Sequence, residues 1–210
     1  MSNHKDQLTG LYAITDEALI PESFFNKIIE SALKGGVKII QYRDKSSNTQ
    51  KRFHQASTLC LLCKQYDAIS IINDDIELAK TVGADGVHIG RDDNSVETAR
   101  QTLGSNAIIG VSCYGDLALA KQAEKNGADY VAFGAMFTSP TKPTATVTGM
   151  DIIAQAKSQL SIPICTIGGI TEKNIHQVVE HGSDMTAVIS CLFSKSDITH
   201  TAKSLSQYFH

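Results

Sequence analysis

The chain has 210 residues, 42% hydrophobic and 20% charged, which suits one well-cored domain and is short for two. Its formal net charge of −3 argues against a broad nucleic-acid-binding surface, and no apolar run approaches the roughly 20 residues of a membrane span. A polar amino terminus without a signal-peptide core, and five cysteines (Cys60, Cys63, Cys113, Cys165, Cys191), an odd number, point to a cytoplasmic protein without a disulfide framework.

Along the chain, residues 1–9 read as a polar extension of one domain spanning 1–210. Apolar, β-branched runs then recur at 11–15, 38–43, 68–73, 86–90, 107–112, 130–134, 163–168 and 185–190. Helix-like stretches lie between them, for example at 22–34, 49–65, 116–126 and 171–181. The strands are nearly continuous in apolar residues, as strands covered on both faces should be. Gly36, Gly83, Gly127 and Gly182, which lie 47, 44 and 55 residues apart, each follow a helix and precede a strand. A glycine there suits the position just past a helix end, where a positive φ is needed. Eight alternating units imply a parallel sheet closed into a (β/α)8 TIM barrel. No Gly-x-Gly-x-x-Gly follows the first strand, so an open dinucleotide-binding sheet is disfavoured.

In such a barrel, chemistry lies where each strand runs into its following loop. The second strand ends Gln41-Tyr-Arg43-Asp-Lys45, and if it stays extended these three polar residues share one side while Ile40 and Tyr42 face the helices. An amide and two cations at a barrel mouth describe a receptor for a polyanion, with solvated loop residues as the bland alternative. The third strand ends Asn73-Asp74-Asp75; either aspartate could instead cap the helix that follows. The fourth is followed by Arg91-Asp92-Asp93, and carboxylates after adjacent strands can share one Mg2+ with substrate phosphate oxygens. Cations from strand two beside these acids would grip a pyrophosphate and its magnesium.

The second half of the chain offers another anion site. Gly168 and Gly169 end strand seven before the helix after Thr171, and Ser190 ends strand eight. Loops after these strands commonly build a phosphate site from backbone N–H groups. The loop after strand six, Phe137-Thr-Ser139-Pro-Thr141-Lys142, adds hydroxyls and an ammonium. Other features read as bland. Cys60-x-x-Cys63 lies within a helix and lacks a second Cys/His pair, so zinc is not expected. His88, inside an apolar strand, reads as a hydrogen-bonded barrel residue rather than a base. The remaining histidines fall in helical or terminal segments and read as surface residues. Lys38 opens strand two at the stability end, which disfavours a Schiff-base role.

Taken together, Tyr12-Ala-Ile-Thr-Asp16, Gln41-Tyr-Arg-Asp-Lys45, Asn73-Asp-Asp75, Gly83-Ala-Asp-Gly-Val-His-Ile-Gly90, Gly110-Val-Ser112, Ala128-Asp-Tyr-Val-Ala-Phe-Gly134, Thr141-Lys142, Ile167-Gly-Gly-Ile170 and Val188-Ile-Ser190 resemble the thiamine-phosphate synthase family. The resemblance implies joining of 4-amino-5-hydroxymethyl-2-methylpyrimidine pyrophosphate to thiazole phosphate, with release of pyrophosphate. It implies Arg43, Lys45, Lys142 and Ser112 as catalytic residues. It also implies Gln41 and Asn73 at the pyrimidine pyrophosphate, and Asp74 and Asp93 as Mg2+ ligands. Ser139, Thr141, Gly169, Ile189 and Ser190 would hold the thiazole phosphate. The implied partners are these small molecules, with no nucleic acid or membrane; a homo-oligomer is compatible. Two departures concern the site: Thr138-Ser139-Pro140-Thr141-Lys142 replaces one threonine by serine and moves the proline, and Arg91 brings a cation near the metal while Asp92 competes with Asp93 as a donor. The rival readings are a thiazole tautomerase-like enzyme and a non-catalytic thiazole-phosphate binder. Neither needs a pyrophosphate grip.

Overall fold

Eight parallel strands pair in chain order and the last closes on the first. They are β1 (Gly10–Ile14), β2 (Ile39–Tyr42), β3 (Ile69–Asn73), β4 (Gly86–Ile89), β5 (Ile108–Tyr114), β6 (Tyr130–Phe133), β7 (Ile164–Ile167) and β8 (Met185–Val188). The computed structural model describes residues 7–90, 95–138 and 146–209. Outside the barrel lie α1 (Phe25–Lys34), α2 (Thr49–Gln65), α3 (Ile76–Val82), α4 (Val96–Leu103), α5 (Leu117–Lys125), α6 (Asp151–Gln159), α7 (Ile175–Glu180), α8 (Ser190–Phe193) and α9 (Ile198–Ser206). The architecture is the expected (β/α)8 barrel. No helix among the described residues is long and apolar enough to cross a membrane.

Strand alternation divides the core into two layers. Tyr12, Ile39, Ile71, Ile108, Tyr130, Cys165, Met185 and Ala187 fill the barrel interior. Leu11, Ala13, Ile40, Tyr42, Ile72 and Val87 pack outward against the helices. Ile40 and Tyr42 therefore face the helices, as the alternation in β2 requires. Leu8, inside the segment read as a polar extension, is buried in the interior layer and belongs to the barrel.

The glycine repeat has a mechanical explanation. Gly36, Gly83, Gly127 and Gly182 have φ of 95°, 66°, 90° and 100°. In each, the glycine N–H bonds the carbonyl three residues back, and the next N–H bonds the carbonyl five residues back. This is the Schellman ending of a helix, which satisfies the last carbonyls and turns the chain into the next strand.

Three of these glycines are followed two positions later by an aspartate, to which the sequence reading gave no role. Asp85 accepts from the Ser70 N–H, Asp129 from Ile109 and Asp184 from Ile164, each amide lying on a neighbouring strand. The carboxylates thus clasp adjacent strands at the barrel's amino-terminal end. Asp129 also pairs with Arg100 at 2.7 Å and is only 11% exposed. Asp129→Ala should lower unfolding stability by about 1–3 kcal/mol, because it orphans a strand amide and removes the carboxylate paired with Arg100, whose guanidinium keeps the carbonyls of Ala107 and Gly127. Denaturant melts would check this, with activity per folded molecule unchanged because the clasp lies at the end opposite the site.

Two boundaries differ from the sequence reading. Strand β2 stops at Tyr42, so Arg43 and Lys45 sit on a loop and the shared-side argument holds for Gln41 alone. The helix after β7 begins at Ile175 rather than after Thr171. Asn174 explains the delay: its Oδ1 accepts from the Thr171 N–H while its Nδ2 donates to the Gly169 carbonyl, holding the preceding segment in a turn.

Candidate active site

The end of β2 is tied to β1 rather than left as a mobile loop. The Thr15 N–H bonds the Gln41 carbonyl, and the Thr15 hydroxyl accepts from Arg43 N–H at 2.8 Å and donates to its carbonyl at 3.1 Å. Asp44 anchors the following turn. It accepts from the Ser46 N–H at 2.7 Å and pairs with Lys51 at 2.8 Å, with its side chain 2% exposed. Burial pushes this carboxyl up, but the hydrogen bonds from Lys51 and Ser46 outweigh burial and hold it below its ordinary range. Asp44 therefore fixes the loop that carries Arg43 and Lys45. For the pyrophosphate substrate that the resemblance implies, Asp44→Ala should raise KM about tenfold or more and leave KM for the second implied substrate unchanged, since misplacement rather than removal of the cations is the fault. Initial-rate kinetics with each substrate varied would check it.

After β3 the two aspartates have separate tasks. Asp75 is the N-cap of α3: its Oδ1 accepts from Leu78 N–H at 2.9 Å, and its Oδ2 pairs with Arg52 at 2.7 Å. Asp74 does not cap. Its backbone takes φ of 62°, a left-handed conformation uncommon outside glycine, with its N–H on the His88 carbonyl of β4. Its Oδ2 accepts from Asn73 Nδ2 at 2.5 Å. A sparsely populated backbone state held by two neighbouring strands fits a functional position. The capping alternative thus falls to Asp75.

Lys45, Asn73 and Asp74 meet on one open pocket of about 610 Å³, bordered also by Asp44, Ser46 and Thr98. Its wall carries two cations, Lys45 and Arg52, and four carboxylates, Asp44, Asp74, Asp75 and Glu77, of which Asp44 and Asp75 are already paired with Lys51 and Arg52. No cluster of three metal-ligating side chains occurs among the described residues, and Asp93, the second expected ligand, lies outside them. The oxygen donors that are described suit a hard cation such as Mg2+, which keeps places for substrate oxygens and water.

Gln41 and Ser112 lie elsewhere, inside the barrel. Gln41 is 2% exposed and donates from Nε2 to Tyr12 Oη at 2.8 Å. Tyr12 Oη lies 2.9 Å from Tyr130 Oη, which lies 2.9 Å from His88 Nδ1. His88 Nε2 lies 2.8 Å from Ser112 Oγ. His88 is thus the hydrogen-bonded barrel histidine expected. His54, His181 and His200 are exposed and His176 is half-buried.

On the opposite half, Gly168 and Gly169 have φ of 102° and 65°. A Cβ at Gly169 would sit 2.5 Å from the Thr138 carbonyl oxygen and 2.6 Å from that of Phe137. These glycines are therefore required by the close approach of the loop after β6, whose Phe137 N–H bonds the Gly168 carbonyl at 3.0 Å. Ile189 and Ser190 open the short helix α8 directly after β8, with Ile189 packed against the interior core. Ser139, Thr141 and Lys142 lie outside the described residues.

With this geometry in place, comparison with known proteins is decisive. A family model described as thiamine monophosphate synthase matches residues 11–192. The chain belongs to the thiamine monophosphate synthase family. It is 48% identical over 202 residues to the thiamine-phosphate synthase of Nitrosococcus oceani, covering 96% of this chain and 93% of that one. It is 44% identical over 205 residues to that of Halorhodospira halophila, covering 98% and 96%. Among solved structures, the thiamine phosphate pyrophosphorylase of Pyrococcus furiosus superposes with a TM-score of 0.87 at 35% identity, covering 96% of each chain.

Four residues that shape the candidate site escaped the sequence reading. Thr15 and Asp44 lie inside motifs quoted for the resemblance, but neither motif says which residue holds the loop and which faces the ligand. Tyr12 and Tyr130 read as apolar strand residues; only their inward parity, at matching depth in the barrel, could have suggested contact.

Proposed function

We propose that this chain catalyses the coupling of 4-amino-5-hydroxymethyl-2-methylpyrimidine pyrophosphate with thiazole phosphate, giving thiamine phosphate and pyrophosphate. The observation that carries this reading, beside family membership, is the pocket where Lys45, Asn73 and Asp74 meet. A tautomerase or a thiazole-phosphate binder has no use for an ammonium and a carboxylate arranged around a second, more highly charged anion.

In this proposal Arg43, Lys45 and Lys142 hold the pyrophosphate and take up the charge that develops as its C–O bond breaks. Asp74 and Asp93 would hold Mg2+, which when bound supplies further positive charge to the leaving group. Gln41, Asn73 and Ser112 orient the pyrimidine. The backbone at Gly169, Ile189 and Ser190, with Ser139 and Thr141, holds the thiazole phosphate so that its ring nitrogen faces the pyrimidine methylene. The attacking nitrogen carries no proton to remove, so the step requires no general base. Water must be kept out, because it would capture the same electron-poor carbon. We place the reaction in the cytoplasm, in keeping with the free cysteines.

The test is incubation of purified, folded protein with both substrates and Mg2+, followed by assay for thiamine phosphate. Product dependent on both substrates is expected. Its absence rejects the coupling reading.

A further inference from the structure

The steps above use only the two ends, Gln41 and Ser112, of a polar chain that crosses the barrel interior. It joins five side chains from five strands: Gln41 of β2, Tyr12 of β1, Tyr130 of β6, His88 of β4 and Ser112 of β5. Its direction follows from counting hydrogens. Each phenol has one to give, and a neutral imidazole has one donor nitrogen and one acceptor nitrogen. Gln41 Nε2 donates to Tyr12, and a buried phenol hydrogen needs an acceptor, so Tyr12 gives its hydrogen to Tyr130. Tyr130 must then donate to His88 Nδ1. That leaves the imidazole hydrogen on Nε2, where it points at Ser112 Oγ. The serine's own hydrogen is thereby turned away from the histidine.

We infer that Tyr12, Tyr130 and His88 are positioning residues, whose one-way hydrogen-bond chain makes Ser112 a donor toward the bound pyrimidine pyrophosphate and aligns it with Gln41. This rests on the coupling function proposed above. The setting is built for a fixed network. Tyr12 and Tyr130 are at most 1% exposed and their rings meet edge to face with centroids 6.2 Å apart. Tyr130 stacks on His88 at 5.5 Å. Burial pushes both phenols far above their ordinary values, so their hydrogens stay in place. Gly110 makes the room: any Cβ there would run into the Tyr130 ring. Phenylalanine would fill the same volume as either tyrosine without burying a hydroxyl, so space filling alone does not account for the choice. His88 also ties the chain to the metal side of the site, because its carbonyl accepts the Asp74 N–H at 2.8 Å.

Two measurements test the chain. In protein labelled with 15N-histidine, the His88 ring, assigned by the signal lost in His88→Gln, should be the neutral Nε2–H tautomer near neutral pH. An Nδ1–H tautomer or a doubly protonated ring overturns the inference. The second is a kinetic cycle. Tyr130→Phe should lower kcat about tenfold with KM for thiazole phosphate unchanged, and should have no further effect in a Ser112→Ala background. Equal losses in both backgrounds would mean a merely structural role and overturn it. Tyr12→Phe repeats the cycle if Tyr130→Phe does not fold, and His88→Gln, which keeps a donor near the Nε2 position, should retain more activity than His88→Leu. A wild-type enzyme without coupling activity would remove the proposed function, while the tautomer measurement would still decide the chain.

Discussion

Asp74→Asn is expected to lower kcat on the order of 10²–10³-fold while the melting curve stays where it is. The carboxylate contributes nothing to helix capping, because Asp75 performs that task for α3 through the Leu78 N–H. An asparagine at position 74 also keeps the left-handed backbone accessible, since Asn and Asp share that tolerance. What it removes is one negative charge facing the pocket shared with Lys45 and Asn73. The neighbouring substitution supplies the control. Asp75→Ala should cost about 0.5–2 kcal/mol of stability through the lost cap, and far less turnover. Mg2+ titrations complete the test: Asp74→Asn should need much more Mg2+ for half-maximal rate. An unchanged Mg2+ requirement in that variant would reject the metal role, and a large stability loss would return Asp74 to the helix.

How far the sequence could be read differs between backbone and side chain. Strands buried on both faces advertise themselves as apolar runs, and the glycines at 36, 83, 127 and 182 mark helix ends because few other residues accept a positive φ. Element order and closure follow from those signals. The polar anchors at strand ends were equally legible: Gln41, Asn73 and Ser112 all lie on strands of the barrel. The limits come from contacts remote in sequence. Tyr12 and Tyr130 are 118 residues apart, and nothing local distinguishes a phenol aimed at a partner from one filling space. The division of labour between Asp74 and Asp75 likewise depended on where the chain turns, which their identical side chains conceal. The end of β2 at Tyr42 depended on the Thr15 hydroxyl, which takes both backbone groups of Arg43 and so diverts the chain from the sheet.

Lys45→Ala should lower kcat/KM for the pyrimidine pyrophosphate on the order of 10²-fold without moving the melting temperature. Lys45 is exposed on the rim of the pocket it shares with Asp74, so its ammonium contributes little to folding and is available to an incoming anion. In the empty site that charge is screened by water and salt. Once two substrates displace the water, the same charge acts across a shorter, less polar gap and matters most when the pyrophosphate is leaving. The loss should therefore appear in kcat as well as KM, and the wild-type rate should fall with ionic strength more steeply than that of the variant. Lys45→Arg keeps the charge but spreads it over a planar fork, so partial recovery is expected. Asp44→Ala distinguishes position from charge: it leaves the ammonium present but releases its loop, so it should raise KM while conceding less in kcat than Lys45→Ala does. A Lys45→Ala effect confined to KM for thiazole phosphate would transfer Lys45 to the other anion site and dissolve the two-anion arrangement on which the coupling mechanism depends.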